Sequence, residues 1–286
     1  MQWALKTRQQ IVVFGLLALV MVAITALILT RDSSSQAARA RPRRAPLVDE
    51  QPMQTARSMA TLASDREEQR YAQQALQLAD HAVDLAFADA LGLTQVDILG
   101  FSLGGMVAQQ IALERPSLVR KMLLVGTAPE GGEDIMHMEK PELKKITDDP
   151  NLPGLQRLVK LFFTPSPSSQ AAGEAFIARL AQRKQDREPL SGPNVAKAQI
   201  AAFRAWEAFT GERFAKLHKI KQPCLVANGV FDAMIPVRNS YMLSEHLPNA
   251  MLLTYPNAGH GSLFQFHESF VRQASMFLES DKIWPA

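Results

Sequence analysis

The sequence predicts an α/β fold, a mostly parallel sheet with helices on both faces, preceded by a membrane-spanning helix. Three observations carry that expectation. Short apolar strand candidates end in loops that present polar side chains, the arrangement by which α/β sheets gather ligand-facing residues at strand carboxyl ends. One strand candidate runs through a glycine-serine-glycine turn directly into a helical stretch. Ahead of all of this, 19 consecutive residues from Ile11 to Leu29 carry no charge.

The chain has 286 residues, 47% hydrophobic and 21% charged, with a net charge of +3. That is an ordinary globular balance, which excludes disordered and collagenous classes. Much of the positive excess sits in Arg39, Arg41, Arg43 and Arg44. The remainder is near neutral and gives no basis for a nucleic-acid-binding body. Cys224 is the only cysteine, so neither an internal disulfide nor a multi-cysteine metal site is expected.

As a helix, the run from Ile11 to Leu29 spans roughly 28 Å, close to the hydrocarbon thickness of a bilayer. Lys6 and Arg8 precede it and Arg31 begins a basic stretch after it. These features predict a single-pass anchor. A signal peptide cleaved near Ser35-Gln36-Ala37 is the rival reading, and a buried core helix a third. Basic residues flank both ends, so the side of the membrane stays open. The stretch from Ser33, rich in Ser, Arg, Ala and Pro, reads as a linker. From Thr55 to Ala90, Met59, Leu62, Ala63, Ala72, Leu76, Ala79, Val83 and Phe87 recur at helical spacing.

Val96-Asp97-Ile98-Leu99 is a short apolar strand candidate. Gly100-Phe101-Ser102-Leu103-Gly104-Gly105 follows, and then a helical stretch from Met106 that stops before Pro116. Strand, G-x-S-x-G and helix together form the context of a nucleophile elbow. The glycines answer crowding: the turn is so sharp that no β-carbon fits beside the serine. Ser102 Oγ then stands at the strand's carboxyl end, and the Leu103 amide at the helix start points toward a developing oxyanion. The alternative is a Gly-Ser turn with no chemical role.

A serine hydroxyl is a poor nucleophile until an oriented base takes its proton. With this elbow the chain order is serine, acid, histidine. Pro223 to Gly229 reads as a buried strand, and Asp232 sits just past its carboxyl end. A turn-forming Asp that caps its own backbone is the competing reading. Met251 to Tyr255 is the last strand candidate, followed by Asn257-Ala258-Gly259-His260-Gly261. Of six histidines, His81, His137 and His218 precede Asp232, while His246 and His267 fall on helical stretches. Only His260 has both the order and the strand-end loop; the alternative for it is a solvated loop histidine.

These residues resemble the α/β-hydrolase superfamily. Ala90 to Leu93 with Val96 to Gly105 looks like the family's helix, strand and elbow, and Leu123 to Ala128 like the next core strand. Asn228 to Pro236 and Tyr255 to Phe266 look like the acid and histidine loops of small esterase, lactonase and haloperoxidase-like members. The likeness covers roughly residues 70 to 281. It implies Ser102 as nucleophile, Asp232 as acid, His260 as base and Leu103 as one oxyanion donor. It also implies a helical cap where the pattern of Leu155 to Phe163, Ala171 to Gln182 and Val195 to Phe209 lies. The expected organisation is a tail and transmembrane helix over 1–32, a linker over 33–54 and a hydrolase-like domain over 55–286, its cap at about 130–218.

One departure bears on the fold. The family places about four strands and a His-Gly oxyanion loop ahead of the elbow. Here no His-Gly pair precedes Ser102, and no strand-like run lies between Arg31 and Gln95. A sheet lacking its N-terminal part is therefore expected, with the second oxyanion donor unassigned. The functional expectation is a membrane-held serine hydrolase of carboxylic esters or lactones, needing no cofactor or metal and no nucleic-acid partner. A catalytically inactive tethered scaffold and a cofactor-free perhydrolase or haloperoxidase-like activity are the alternatives. Substrate identity and oligomeric state are left open.

Overall fold

The structure is a computed structural model that describes residues 11–12, 84–182, 184–185 and 193–280. Among these, five parallel strands form one sheet in sequential order. They are β1 (Ile11–Val12), β2 (Val96–Phe101), β3 (Val119–Val125), β4 (Cys224–Gly229) and β5 (Ala250–Tyr255). A parallel strand must be reached by a crossover, and helices fill the connections from β2 to β5. Helix α1 (Leu103–Glu114) returns from β2 to β3 and packs on both. Helix α6 (Arg238–His246) links β4 to β5 in the same way.

The central strands read as near-continuous apolar runs because both of their faces are covered. Met122, Leu124, Val125, Val226 and Ala227 are completely buried. β5 is one edge of the sheet among the described residues, and Met251 on it is half-exposed. Between β3 and β4 the chain inserts α2 (Pro141–Thr147), α3 (Gly154–Phe162), α4 (Pro167–Leu180) and α5 (Pro193–Ala208). Their boundaries follow local chemistry: proline opens α2, α4 and α5, where its fixed φ suits the first turn and its missing amide has no partner to lose. Ser166 caps α4 by accepting from the Ser169 amide. After β5 come α7 (Ser262–Gln265) and α8 (His267–Glu279). Helix α8 is held to the sheet's opposite end, where buried Lys121 of β3 donates to the carbonyls of Phe277 and Leu278 in its last turn.

The expected single-pass membrane anchor is corrected here, and membrane association and localisation with it. Ile11–Val12, the first two residues of the run read as a spanning helix, are extended and pair in parallel with Asp97 and Ile98 of β2. β-branched residues beside a strand edge find their hydrogen bonds in the ladder rather than in a helix. Among the described residues no helix is long and apolar enough to cross a membrane. The rest of that run, the linker over 33–54 and the helical stretch before residue 84 lie outside the described residues. The end of that stretch, 84–90, is helical. The later elements that the sequence predicts lie within a few residues of their expected places, β3 beginning four residues before Leu123 and ending at Val125, while α2 (Pro141–Thr147) is not among them.

Candidate active site

Ser102 occupies the turn between β2 and α1 with φ 55° and ψ −123°. This is a conformation that only glycine adopts without strain, and a non-glycine residue held there costs on the order of 1–3 kcal/mol. Its amide donates to the Val125 carbonyl at 2.9 Å, and its carbonyl accepts from the Gly105 amide at 3.0 Å. The flanking glycines are fixed by space. A β-carbon on Gly100 would lie 2.4 Å from the Gly104 carbonyl oxygen, and one on Gly105 would lie 2.5 Å from the Thr127 side chain. Gln109 locks the start of α1 to the chain beyond β3, donating to Gly105 O at 2.9 Å and Ala128 O at 3.0 Å.

A serine just ahead of a helix ordinarily caps it, its oxygen accepting an amide of the first turn. Ser102 makes no such bond. Its Oγ is buried and has no hydrogen-bond partner, which strain and burial together would make costly if the hydroxyl had no use. Leu103 is the first residue of α1, so its amide has no acceptor within the helix.

Asp232 and His260 are brought together. His260 Nδ1 lies 2.7 Å from Asp232 Oδ2, and both side chains are fully buried. The other carboxylate oxygen, Oδ1, accepts the amides of Met234 and Ile235, each at 2.9 Å. The carboxylate therefore forms its own turn through one oxygen and holds the imidazole through the other. With Nδ1 committed to Asp232, Nε2 is the free ring nitrogen, and it too is buried without a partner. His260 is no solvated loop residue.

The acid and histidine loops are laced to each other. The Val230 amide donates to Tyr255 O and the Phe231 amide to Ala258 O. Asn228, buried at the end of β4, accepts from the Gly229 amide at 2.8 Å and donates to Ile235 O at 3.2 Å, bracing the acid turn. Gly229 sits so close that a β-carbon there would be 2.2 Å from Gly259 O and 2.4 Å from Ala258 O. Backbone cannot yield as a flexible side chain can, so Gly229→Ala is expected to destabilise the fold by about 1–3 kcal/mol. Thermal unfolding checks this, at roughly 2–4 °C of Tm per kcal/mol for a protein of this size.

Around the imidazole the walls are aromatic. The Phe101 ring lies 4.8 Å away between centroids and the Phe162 ring 5.2 Å. Gly126, in the turn after β3 with φ 53°, passes beneath: a β-carbon on it would meet Phe101 Cε2 at 3.2 Å and His260 Cε1 at 3.4 Å. Ser102 Oγ and His260 Nε2 thus sit at the carboxyl ends of β2 and β5, and no hydrogen bond joins them. The sequence reading missed Asn228, Phe101 and Phe162. Asn228 left a signal, a polar residue closing an otherwise apolar strand; Phe162, 98 positions before His260, left none.

A cavity of about 530 Å³ lies between the helical insert and these loops. Leu143, Ile146, Leu161, Phe163 and Phe231 give it apolar walls, with Lys160 among its polar groups. Ala233 and Gly259, neighbours of the acid and the histidine, also line it, but Ser102, Asp232 and His260 do not. Burial pushes the Cys224 thiol up to about 12, so it stays protonated at neutral pH and offers no competing nucleophile. Among the described residues no group of three or more His, Cys, Asp or Glu side chains is arranged to hold a metal ion.

The site can be set beside known proteins. A solved structure of an alpha/beta hydrolase fold protein from Chitinophaga pinensis superposes with a TM-score of 0.65 at 35% identity, covering 71% of this chain and 72% of that one. A 2-hydroxy-6-oxo-6-phenylhexa-2,4-dienoate hydrolase of Burkholderia cepacia is 28% identical over 193 residues, 66% of this chain and 65% of that protein. A pimeloyl-[acyl-carrier protein] methyl ester esterase of Nitrosomonas europaea is 28% identical over 177 residues, 61% of this chain and 68% of that protein. The chain spans 64% or 65% of the length of the dienoate hydrolases it matches. Residues 63–266 match the family described as alpha/beta hydrolase fold. On that match and the shared architecture, the chain belongs to the alpha/beta hydrolase fold family.

Proposed function

We propose that the protein is a serine hydrolase of carboxylic esters or lactones, with Ser102 as nucleophile, His260 as base and Asp232 as the acid that orients it. The observation that carries this reading is a pair of buried, unpartnered atoms, Ser102 Oγ and His260 Nε2, one on a strained turn and the other on an imidazole tied at 2.7 Å to a buried carboxylate.

The chemistry follows from the bonds. Asp232 Oδ2 accepts the Nδ1 proton, which leaves Nε2 with its lone pair and so able to take the hydroxyl proton of Ser102. The serine oxygen then attacks the acyl carbon, and the charge that develops on the carbonyl oxygen is met by the Leu103 amide at the start of α1. His260 returns the proton to the leaving alcohol, an acyl-enzyme remains, and water activated by Nε2 releases the acid. The esterase relative supports an ester substrate. The dienoate hydrolase relatives favour a second reading in which the same three residues act on a hydroxy-oxo-dienoate.

A fluorophosphonate probe tests the reading. It is expected to form one adduct, mapped by mass spectrometry to Ser102, and short p-nitrophenyl esters are expected to be turned over. Adduct formation at another serine, or none on folded protein, overturns it. Preference for a hydroxy-oxo-dienoate over p-nitrophenyl esters in parallel assays selects the second reading.

A further inference from the structure

We infer that Phe162, the last residue of α3, is a positioning residue for the His260 imidazole, so that the helical insert helps to set the geometry of the base. This rests on the reading of His260 proposed above. Residue 162 touches the histidine loop in three places. Its ring stands nearly perpendicular to the imidazole, at 78° and 5.2 Å between centroids. Its carbonyl accepts the Gly261 amide at 2.8 Å. Residue 162 also explains the glycines on either side of His260: a β-carbon on Gly259 would be 2.7 Å from Phe162 O, and one on Gly261 3.0 Å from Phe162 Cβ.

The physical need is clear from what the carboxylate leaves undone. The bond from Nδ1 to Asp232 fixes one end of the imidazole but not rotation about that contact. Phe101 from β2 and Phe162 from the insert pack against the ring from adjacent directions, with 6.0 Å between their own centroids. Together they fix the ring plane, and with it the direction of Nε2. Phe264 stacks parallel to Phe162 at 6.4 Å and supports it from α7. Lys160, Leu161 and Phe163, the neighbours of Phe162 on α3 and just beyond, line the 530 Å³ cavity. The end of α3 thus stands between that cavity and the imidazole.

The test compares Phe162→Leu with Phe176→Leu. Phe176 is also buried in the aromatic cluster and stacks on Phe264 at 4.4 Å, whereas the ring contacts of His260 are with Phe101 and Phe162. Both variants are expected to lower Tm. Phe162→Leu is expected to lower kcat on p-nitrophenyl acetate by about 10- to 100-fold with KM little changed, the pattern of a misaimed catalytic group. The kcat/KM profile across pH is recorded for both variants, and only Phe162→Leu is expected to depart from the wild-type profile. Phe176→Leu is expected to keep the wild-type kcat and pH profile. Equal activity losses in the two variants, with unchanged pH profiles, overturn the inference.

If Phe162→Leu does not fold, Phe162→Met, unbranched and of similar size, takes its place. An NMR titration of the His260 ring in wild type and variant reads the same contact without turnover. Should the wild type neither label nor turn over, the hydrolase reading fails by itself. The titration then still decides, a displaced curve supporting the role of Phe162 and an identical curve overturning it.

Discussion

Ser102→Ala is expected to lower kcat for ester hydrolysis on the order of 10⁶-fold while leaving the protein folded, since removing a triad serine costs about as much as removing the whole triad. It is also expected to abolish fluorophosphonate labelling. The structural side of this expectation is unusual in sign. Ser102 Oγ makes no hydrogen bond and caps nothing, so its removal takes away a buried, unsatisfied polar atom. That change is expected to be neutral or slightly stabilising. The strain at φ 55° remains, because alanine also carries a β-carbon. Ser102→Gly should relieve that strain too and raise Tm further, again without activity. A group whose loss stabilises the fold and destroys turnover is held in place for chemistry. Measured Tm and kcat across wild type, Ser102→Ala and Ser102→Gly check both halves together. A Tm that falls in both variants would show that Oγ does structural work the hydrogen-bond pattern does not reveal.

Much of this arrangement is legible in the residues, and the reasons differ by element. The elbow is readable because its steric demands are local: Gly100, Ser102 and Gly104 lie within five positions, and the clash that forbids a β-carbon at Gly100 is with Gly104 itself. The placement of Asp232 and His260 is readable by position, each just beyond a strand, one ending at Gly229 and the other at Tyr255. Asp232 also shows why a competing explanation need not exclude a functional one, since its two oxygens serve the turn and the imidazole separately.

What escaped the sequence was set by distance along the chain. Nothing near Phe162 announces that it will lie against a loop beginning near residue 257, and nothing near Gly259 or Gly261 says that their missing side chains make room for it. The apolar run at the N-terminus misled for a different reason. Hydropathy records that residues avoid water, but not whether lipid or a strand edge provides the shelter. Ile11 and Val12 are apolar enough for either, and they lie beside β2.

Asp232→Asn is expected to lower kcat by about 10⁴-fold with the fold intact, the magnitude that loss of the correct imidazole tautomer produces. The amide can be placed almost isosterically, and the bonds already in the turn decide how. Oδ1 accepts the amides of Met234 and Ile235, so the asparagine oxygen must take that position, because an NH₂ group there would face two donors. Its NH₂ group is then forced toward His260, where Oδ2 stood 2.7 Å from Nδ1. A donor in that position demands an acceptor, so the imidazole must carry its proton on Nε2 instead. Nε2 then faces the reaction as a donor and cannot accept the proton of Ser102. Asp232→Ala removes both functions, loosening the turn and releasing the imidazole, and should cost more stability than Asp232→Asn. Nitrogen-15 NMR of the imidazole distinguishes the tautomers directly, with Nδ1–H expected in wild type and Nε2–H in Asp232→Asn. Wild-type turnover in a folded Asp232→Asn protein would mean that the carboxylate serves the turn alone, and that some other group orients the base.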